Sequence, residues 1–248
     1  YYLREKFGTK VFKVSINAGF TCPNIDGSIS YGGCAYCSKD GSGDFAGNPR
    51  DNLVKQFKDI KEMMEKKWPQ AKYIGYFQAF TNTYAPLEVL KDKYETILDQ
   101  DGVVGLSIST RPDCIDDDIL DYLAQLNTRT NLWVELGLQT VHDQTSNIIN
   151  RGHGLDVFVD CVNRLRSREI EVVAHVINGL TGETYDMMME TIRRVSHMDI
   201  QGVKIHLLHV IKGTPMVNML NKGELKLLSK EEYVDLVCDQ LEILPQEM

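Results

Sequence analysis

Three of the six cysteines lie close together near the start of the chain. Cys22, Cys34 and Cys37 fall within sixteen residues, in the pattern Cys22-x11-Cys34-x2-Cys37. Three thiolates can ligate three irons of a [4Fe–4S] cluster and leave the fourth iron open to another ligand. A Cys-x2-Cys pair is also a common half of a zinc site. The spacing favours a cluster and leaves zinc open, with His142 or His153 as a fourth ligand through tertiary contact.

The other cysteines, Cys114, Cys161 and Cys238, are scattered singly, and we expect them to fill core space as small apolar groups. A disulfide framework would be denser and would spread over the chain. The charged opening at residues 1–6 is not a signal-peptide pattern, and no run approaches 18 apolar residues. These features predict a protein of the reducing cytoplasm without a membrane span.

Glu135, Lys204 and His206 are further candidates for chemistry. Glu135 alternates in phase with Gly137 and Gln139, so these three side chains are expected on one face of a strand. A buried carboxylate is costly unless it is paired, and Lys204 or His206 could be its partner. A structural ion pair and a role towards substrate both remain open.

Apolar, β-branched segments recur along the chain with amphipathic helical patterns between them. Most of these segments are nearly continuous in apolar character, which is typical of strands buried on both faces of a parallel sheet. The predicted strands are Val11–Ala18, Tyr73–Phe80, Val103–Thr110, Leu132–Gln139, Val172–Ile177 and Val203–His209. The predicted helices are Asp51–Trp68, Pro86–Gln100, Asp116–Leu126, Asp156–Ser167, Glu183–His197 and Lys230–Leu244.

Six strands, each followed by a helix, predict an α/β fold with parallel strands, namely a partial (β/α)6 TIM-like barrel. A doubly wound sheet is the alternative. No Pro-, Gly- or Ser-rich linker divides the chain, so we predict one domain over residues 1–248. The chain opens without Met and has no natural ending, and we expect a C-terminal segment of the full protein to be absent.

The segment 19–49 interrupts this rhythm. It is rich in glycine, has no helical period and contains all three clustered cysteines. A loop of about thirty irregular residues is uncommon in a compact domain unless it binds something. Because it follows a strand, in a barrel it would lie on the C-terminal face, where sites are built. We therefore expect it to be the cluster-binding loop.

This loop, followed by a parallel βα series, resembles the radical S-adenosylmethionine (SAM) superfamily. Within it the chain is similar to the branch of the catalytic subunit of eukaryotic Elongator and, most closely, to the YtqA/YhcC group. The similarity covers nearly the whole chain. Its motifs are Phe7-Gly8-x-Lys10-Val11-x-Lys13-Val14, Gly19-Phe20-Thr21-Cys22-Pro23-Asn24, Gly41-Ser42-Gly43-Asp44-Phe45, Tyr76-Phe77-Gln78-Ala79-Phe80-Thr81-Asn82-Thr83-Tyr84, Ser109-Thr110-Arg111-Pro112-Asp113 and Val134-Glu135-Leu136-Gly137-Leu138-Gln139-Thr140.

The resemblance implies that Cys22, Cys34 and Cys37 ligate a [4Fe–4S] cluster whose open iron binds SAM. It also implies a set of SAM-binding residues. They are Tyr36 at the adenine, Ala79, Phe80 and Thr81 at the methionyl amine, Ser109 and Gln139 at the ribose, Arg151 at the methionyl carboxylate, and the turn Asn178, Gly179 and Leu180 on the adenine side. Two departures stand out: Ala79 and Phe80 replace two glycines of the family, and Ser109 replaces a Glu.

The resemblance further implies a tRNA-modifying enzyme. Such an enzyme would abstract hydrogen from a wobble-uridine side chain and convert 5-carboxymethylaminomethyl-(2-thio)uridine to its 5-aminomethyl form. Flavodoxin or ferredoxin would supply the electron, and a partner tRNA methylase would act next. The alternatives are a radical SAM enzyme acting on another nucleoside or a small molecule, and a non-catalytic zinc-binding or RNA-binding protein.

Charge bears on these alternatives. Lys and Arg number 27 against 35 Asp and Glu, which gives a net charge of −8 and excludes a nucleic-acid binder of the kind that uses its whole surface. A local basic patch is compatible with this balance. The N-terminal Tyr1, Tyr2, Arg4, Lys6, Lys10 and Lys13 could contact RNA or form a solvated strand edge.

Overall fold

The fold was obtained as a computed structural model, which describes residues 2–41, 43 and 46–248. Tyr1, Ser42, Asp44 and Phe45 lie outside the described residues. The motif 41–45 is therefore described only at Gly41 and Gly43, and the N-terminal basic segment only from Tyr2 onward.

Six strands form one sheet in the order β1-β2-β3-β4-β5-β6. The pairs β1–β2, β2–β3 and β5–β6 are parallel. In a doubly wound sheet the order of the strands reverses at a switch point. Here the order of the strands in the sheet follows their order in the chain, as it does in a barrel. The strands are β1 Val11–Ile16, β2 Lys72–Phe77, β3 Val103–Thr110, β4 Asn131–Gln139, β5 Glu171–Asn178 and β6 Gly202–Leu207.

Nine α-helices occur in the described part of the chain. They are α1 Tyr2–Phe7, α2 Leu53–Glu65, α3 Leu87–Leu98, α4 Asp117–Asn127, α5 Asp143–Ile148, α6 Leu155–Arg166, α7 Tyr185–Ser196, α8 Pro215–Asn221 and α9 Lys230–Ile243. All six predicted helices are present. None of the described helices combines the length and apolar character needed to cross a bilayer.

Residues 2–7 form α1, so a solvated strand edge, one of the two alternatives for the N-terminal segment, is wrong for these residues. This helix has six residues, too few for a hydrophobic period to show. The expectation that all three scattered cysteines fill core space was also wrong. Cys161 is buried and Cys114 is partly buried, but Cys238 is exposed because it lies on an outer position of α9.

The chain divides into two compact units, which are described separately. Unit 1 comprises Tyr1–Thr21, Asp40–Thr110 and Cys114–Val134. Its core contains a chain of aromatic contacts. The Phe77 ring packs edge-on against that of Tyr94 at 4.9 Å, and the Tyr94 ring stacks on that of Tyr122 at 6.3 Å. Aromatic pairs of this kind add stability beyond their buried area.

Unit 2 comprises Cys22–Lys39, Arg111–Asp113 and Glu135–Met248. One of its apolar clusters contains Ala35, Ile149, Leu180, Leu208, Met216 and Leu225. Ala35 is therefore buried among residues from the ends of β5 and β6. This packing anchors the cysteine-containing segment 22–39 to the second half of the chain.

Candidate active site

The cysteine segment 22–39 is shaped by short backbone hydrogen bonds. Ile25 N donates to Cys22 O at 2.8 Å, and Cys37 N donates to Cys34 O at 3.0 Å. Gly32 and Gly33 both have positive φ, of 83° and 77°, a conformation that glycine adopts without strain. The turn before Cys34 therefore depends on this glycine pair.

None of these three cysteines forms a disulfide bond with another described residue, and Cys34 is buried. A hydrogen bond from the Cys37 side chain lowers the pKa of Cys34, which falls to about 6 although burial opposes the shift. Asn24, Tyr36 and the positive charge of Arg111 lower the same pKa further. A thiol with this pKa is largely thiolate at neutral pH, which is the form that binds metal.

Tyr36 contacts the thiols through its hydroxyl. This hydroxyl hydrogen-bonds to Cys34, and burial together with the charges of Cys34 and Cys37 raises the pKa of Tyr36 well above its ordinary value. The phenol therefore stays protonated and donates to sulfur. The predicted contact with adenine would have to be made by its ring.

Two residues to which the sequence patterns assigned no role, Asn24 and Arg111, also support the thiols. The Asn24 amide nitrogen lies 3.5 Å from the Cys34 sulfur. Arg111 forms a two-bond ion pair with Asp113, at 2.9 and 2.6 Å, and donates to Arg151 O at 2.6 Å. Burial lowers the pKa of Arg111, but Asp113 and the charges of Cys22 and Cys34 raise it overall, so it remains a cation.

Arg151 is 1% exposed, and its guanidinium donates to backbone carbonyls. Nε and Nη2 donate to His153 O at 3.0 and 2.8 Å, and Nη1 donates to Thr140 O at 2.6 Å and to Leu138 O. Burial lowers the pKa of Arg151, against the opposing charges of Tyr36 and Asp143. The bonds to Leu138 and Thr140 fix the end of β4, where Gln139 lies.

Gln139 and Phe80, two predicted SAM-binding residues, have positive φ, of 65° and 62°. A non-glycine residue in this region carries about 1–3 kcal/mol of strain and occurs preferentially at functional sites. In unit 1, Phe80 N donates to Gly41 O at 2.9 Å, which ties the 79–81 segment to the end of the loop. Ala79 and Thr81 are buried.

The remaining predicted SAM-binding residues also lie at strand ends. Ser109 Oγ is 3.2 Å from the Tyr76 hydroxyl in unit 1. In unit 2, Asn178 forms a reciprocal amide pair with Gln240, at 2.8 and 3.0 Å. Gly179 follows with φ of 90°, and Leu180 belongs to the apolar cluster around Ala35.

Glu135 forms the centre of an ionic cluster on β4, β5 and β6. Its side chain has no exposed area, and one oxygen, Oε2, accepts from His175 Nε2 at 2.6 Å and from Lys204 Nζ at 2.8 Å. The prediction that Lys204 or His206 pairs with Glu135 is correct for Lys204. His206 instead lies beside His175, with ring centres 5.1 Å apart.

Comparison with known proteins identifies the family. A model of the Radical SAM superfamily matches residues 29–195, more than half of the chain. The chain belongs to the radical SAM superfamily. A second model, the Radical_SAM C-terminal domain, matches residues 200–248 of this radical SAM enzyme.

Relatives agree with the YtqA/YhcC prediction. The uncharacterized protein YtqA of Bacillus subtilis (strain 168) is 60% identical over 248 residues, covering 100% of this chain and 77% of YtqA. Protein YhcC of Escherichia coli (strain K12) is 35% identical, covering 99% of this chain and 79% of YhcC. A tRNA uridine(34) acetyltransferase of Methanocaldococcus infernus is 29% identical over 147 residues, covering 58% of this chain and 27% of that protein.

Solved structures confirm the fold of this radical SAM chain. Elp3 of Methanocaldococcus infernus superposes with a TM-score of 0.71 at 19% identity, covering 96% of this chain and 55% of that one. Coproporphyrinogen III oxidase (HemN) of Escherichia coli superposes with a TM-score of 0.62 at 15% identity, covering 96% and 53%. The chain thus spans about half the length of each, and the predicted partial TIM-like barrel is confirmed.

The donors in the cysteine segment of this radical SAM enzyme fit an iron–sulfur cluster. A lowered thiol pKa, a nearby cation and N–H or O–H groups near the Cys34 sulfur are the features that stabilise thiolate ligands. Among the described residues, no three His, Cys, Asp or Glu side chains form a group that could hold a single metal ion. His153 was considered above as a fourth zinc ligand. Its pKa is lowered to about 4 by burial and by the charges of Arg151 and Arg111, so its imidazole is neutral at pH 7.

Proposed function

We propose that this enzyme binds a [4Fe–4S] cluster through Cys22, Cys34 and Cys37 and uses it with SAM. The observation that carries this proposal is the match to the Radical SAM superfamily of a chain whose segment 22–39 contains these three cysteines, with Cys34 buried. When bound, the reduced cluster supplies one electron that cleaves the S–C5′ bond of SAM to methionine and a 5′-deoxyadenosyl radical. The protein binds and orients SAM and the substrate, and it excludes water from the site.

We assign the binding of SAM to residues at the strand ends. Tyr36 offers its ring to adenine while its hydroxyl holds the Cys34 sulfur. Gln139 and Phe80 are held in strained backbone conformations that suit close contact with a ligand. Arg151 uses one Nη2 hydrogen on His153 O, and we assign the second Nη2 hydrogen to the methionyl carboxylate.

We propose a tRNA wobble uridine as the substrate. Support comes from the partial similarity to tRNA uridine(34) acetyltransferases. The proposed reaction removes the carboxymethyl group of 5-carboxymethylaminomethyl-(2-thio)uridine, and the abstracted hydrogen is the one on the carboxymethyl carbon beside the amine. That hydrogen would end on 5′-deoxyadenosine, and the second electron would return to the cluster, so that SAM is the net two-electron oxidant. Water would then hydrolyse the resulting imine to glyoxylate and the 5-aminomethyl group. A flavodoxin or ferredoxin in the cytoplasm would reduce the cluster, and a tRNA methylase would use the 5-aminomethyl product.

Glu135, Lys204 and His206 are the proposed residues on the substrate side. Lys204 keeps 35% of its side chain exposed while Glu135 holds its ammonium at 2.8 Å. This arrangement presents a positive charge from a fixed position, as binding of the substrate carboxylate requires. His206 lies next in phase along β6 and adds a neutral imidazole.

The test is anaerobic reconstitution, followed by reduction and incubation with SAM and tRNA from a strain lacking the gene. We expect 5′-deoxyadenosine and 5-aminomethyluridine to form together, as measured by liquid chromatography and mass spectrometry. Cys34→Ala should abolish both products because it removes an iron ligand. Cys161→Ala is the matched control, since that cysteine is buried on α6 outside the loop and burial raises its pKa to about 12.

Full activity of Cys34→Ala would refute the ligand assignment. Formation of 5′-deoxyadenosine with an unchanged wobble nucleoside would refute the substrate and favour another nucleoside or a small molecule. Colourless protein with one zinc and no iron or sulfide would refute the cluster.

A further inference from the structure

Asn24 is a fully buried amide next to the cysteines. Its Nδ2 lies 3.5 Å from Cys34 Sγ, 2.7 Å from Asn150 O and 2.9 Å from Arg151 O. The two carbonyl oxygens can only accept, so the nitrogen of the amide must face them. The orientation of this side chain is therefore decided by its neighbours.

The turn that Asn24 contacts is bound to the cysteine segment by three further hydrogen bonds. Asn150 Nδ2 donates to Gly33 O at 2.8 Å and to Ser30 Oγ at 3.0 Å. Ala35 N donates to Ile149 O at 2.8 Å. These three bonds do not involve a cysteine sulfur, whereas the Asn24 amide contacts both the turn and the Cys34 sulfur.

The site closely surrounds the oxygen of Asn24. Oδ1 is buried without a hydrogen-bond partner in the described structure, and a Cβ on Gly152 would lie 2.7 Å from it. Gly152 has φ of 83°, so a larger residue there is disfavoured by both contact and backbone. An unsatisfied buried oxygen costs about 1–3 kcal/mol.

We propose that Asn24 is a positioning residue of the iron–sulfur site, whose amide fixes the Cys34 sulfur against the Asn150–Arg151 turn and raises the reduction potential of the bound cluster. The inference rests on the proposed function, because it requires Cys34 to ligate iron. Reduction adds negative charge to the cluster and its sulfurs. An N–H group directed at one of them stabilises the reduced form more than the oxidised form.

The test compares the cluster midpoint potential of three reconstituted proteins by electron paramagnetic resonance during a redox titration. We expect Asn24→Ala to shift the midpoint to a more negative potential than that of the unchanged protein. The matched control is Asn150→Gly, which removes the bonds to Gly33 and Ser30 but leaves the Asn24 amide in place. Glycine also suits the φ of 52° at position 150. This control is expected to keep the original midpoint.

An Asn24→Ala midpoint equal to that of the unchanged protein would overturn the proposal. So would equal shifts in both variants, because the turn rather than the sulfur contact would then set the potential. If Asn24→Ala is folded by circular dichroism but loses iron that Asn150→Gly retains, positioning is supported. If it does not fold, Asn24→Ser replaces it under the same criteria. Failure of the unchanged protein to bind iron and sulfide would instead refute the proposed function.

Discussion

Burial gives individual side chains of this protein acid–base properties that their residue types do not have in water. His206 shows this on β6, where burial, followed by the charges of His175 and Lys204, lowers its pKa to about 4. Its buried Nε2 has no hydrogen-bond partner in the described structure. The groups that act on His206 are Glu135, His175, Lys204 and His209. The folded protein therefore keeps this imidazole neutral.

A dependence of stability on pH follows from His206. The unfolded chain protonates this histidine near pH 6.5 and the folded chain only near pH 4, so acid favours unfolding between these values. The contribution of the neutral His206 to the free energy of unfolding is complete above pH 6.5 and is lost as the pH falls from there through 4. The total loss is roughly 3 kcal/mol.

When the pH is lowered from 7 to 4.5, we expect the free energy of unfolding of His206→Asn to fall less than that of the unchanged protein, as measured by urea denaturation. His197→Asn is the control, because His197 is exposed at the end of α7. Equal losses in the two variants would contradict the assignment.

The three cysteines could be predicted as cluster ligands from sequence because their types and spacing carry the signal. Asn24 and Arg111 could not be assigned a role, although both lie within recognised motifs, because their partners at Asn150 and Arg151 are brought to them only by folding. Phe80 stands where the family resemblance predicts a glycine, and its φ of 62° lies in the region that glycine adopts without strain.

At the scale of elements, the pair Asn178–Gln240 fixes the last helix to the sheet. The two amides, one at the end of β5 and one on α9, are both buried and donate to each other. Gln240 also donates to Met188 O at 3.3 Å on α7. A buried amide that loses its partner retains its desolvation penalty, which makes this pair an energetic link between elements.

Gln240→Leu is expected to lower the free energy of unfolding by about 2 kcal/mol, because it leaves the Asn178 amide unsatisfied. The double variant Asn178→Leu/Gln240→Leu should recover part of this loss, since both polar groups are then gone. Urea denaturation of both single variants and the double variant gives the coupling energy. Additive losses would show that the pair is not coupled.

The six strands were predictable because most of them are nearly continuous apolar runs, and β3 has the predicted bounds. The short helices α1, α5 and α8 were not predicted. Each has six or seven residues, so at most two turns are available to show a period. Contacts with the rest of the chain, rather than local pattern, decide such elements.

At the scale of the whole molecule, a net charge of −8 opposes the binding of a polyanion, so any contact with tRNA must be local. In unit 1, a lysine near the N-terminus lies beside aromatic rings. Lys10 Nζ lies 4.7 Å from the centre of the Trp68 ring and 5.5 Å from that of Phe12. Cations beside aromatic rings suit the phosphates and bases of single-stranded RNA.

We expect tRNA binding to weaken about tenfold or more between 50 and 200 mM KCl, because phosphate contacts release counterions. Lys10→Ala should reduce the slope of log affinity against log salt by about 1. Lys230→Ala, an exposed lysine at the start of α9, is the control. Fluorescence anisotropy with labelled tRNA measures both slopes. An unchanged slope for Lys10→Ala would remove the N-terminal region from the interface.

The hydrogen bond from Asn24 to Asn150 joins positions 126 residues apart. During synthesis the thiols therefore emerge from the ribosome long before the segment that holds them exists. Domains form as units once their distant segments are available, so the cysteine segment stays unsupported until at least residue 151 has been translated. Under the proposed function, insertion of the cluster accordingly follows the synthesis of residue 151.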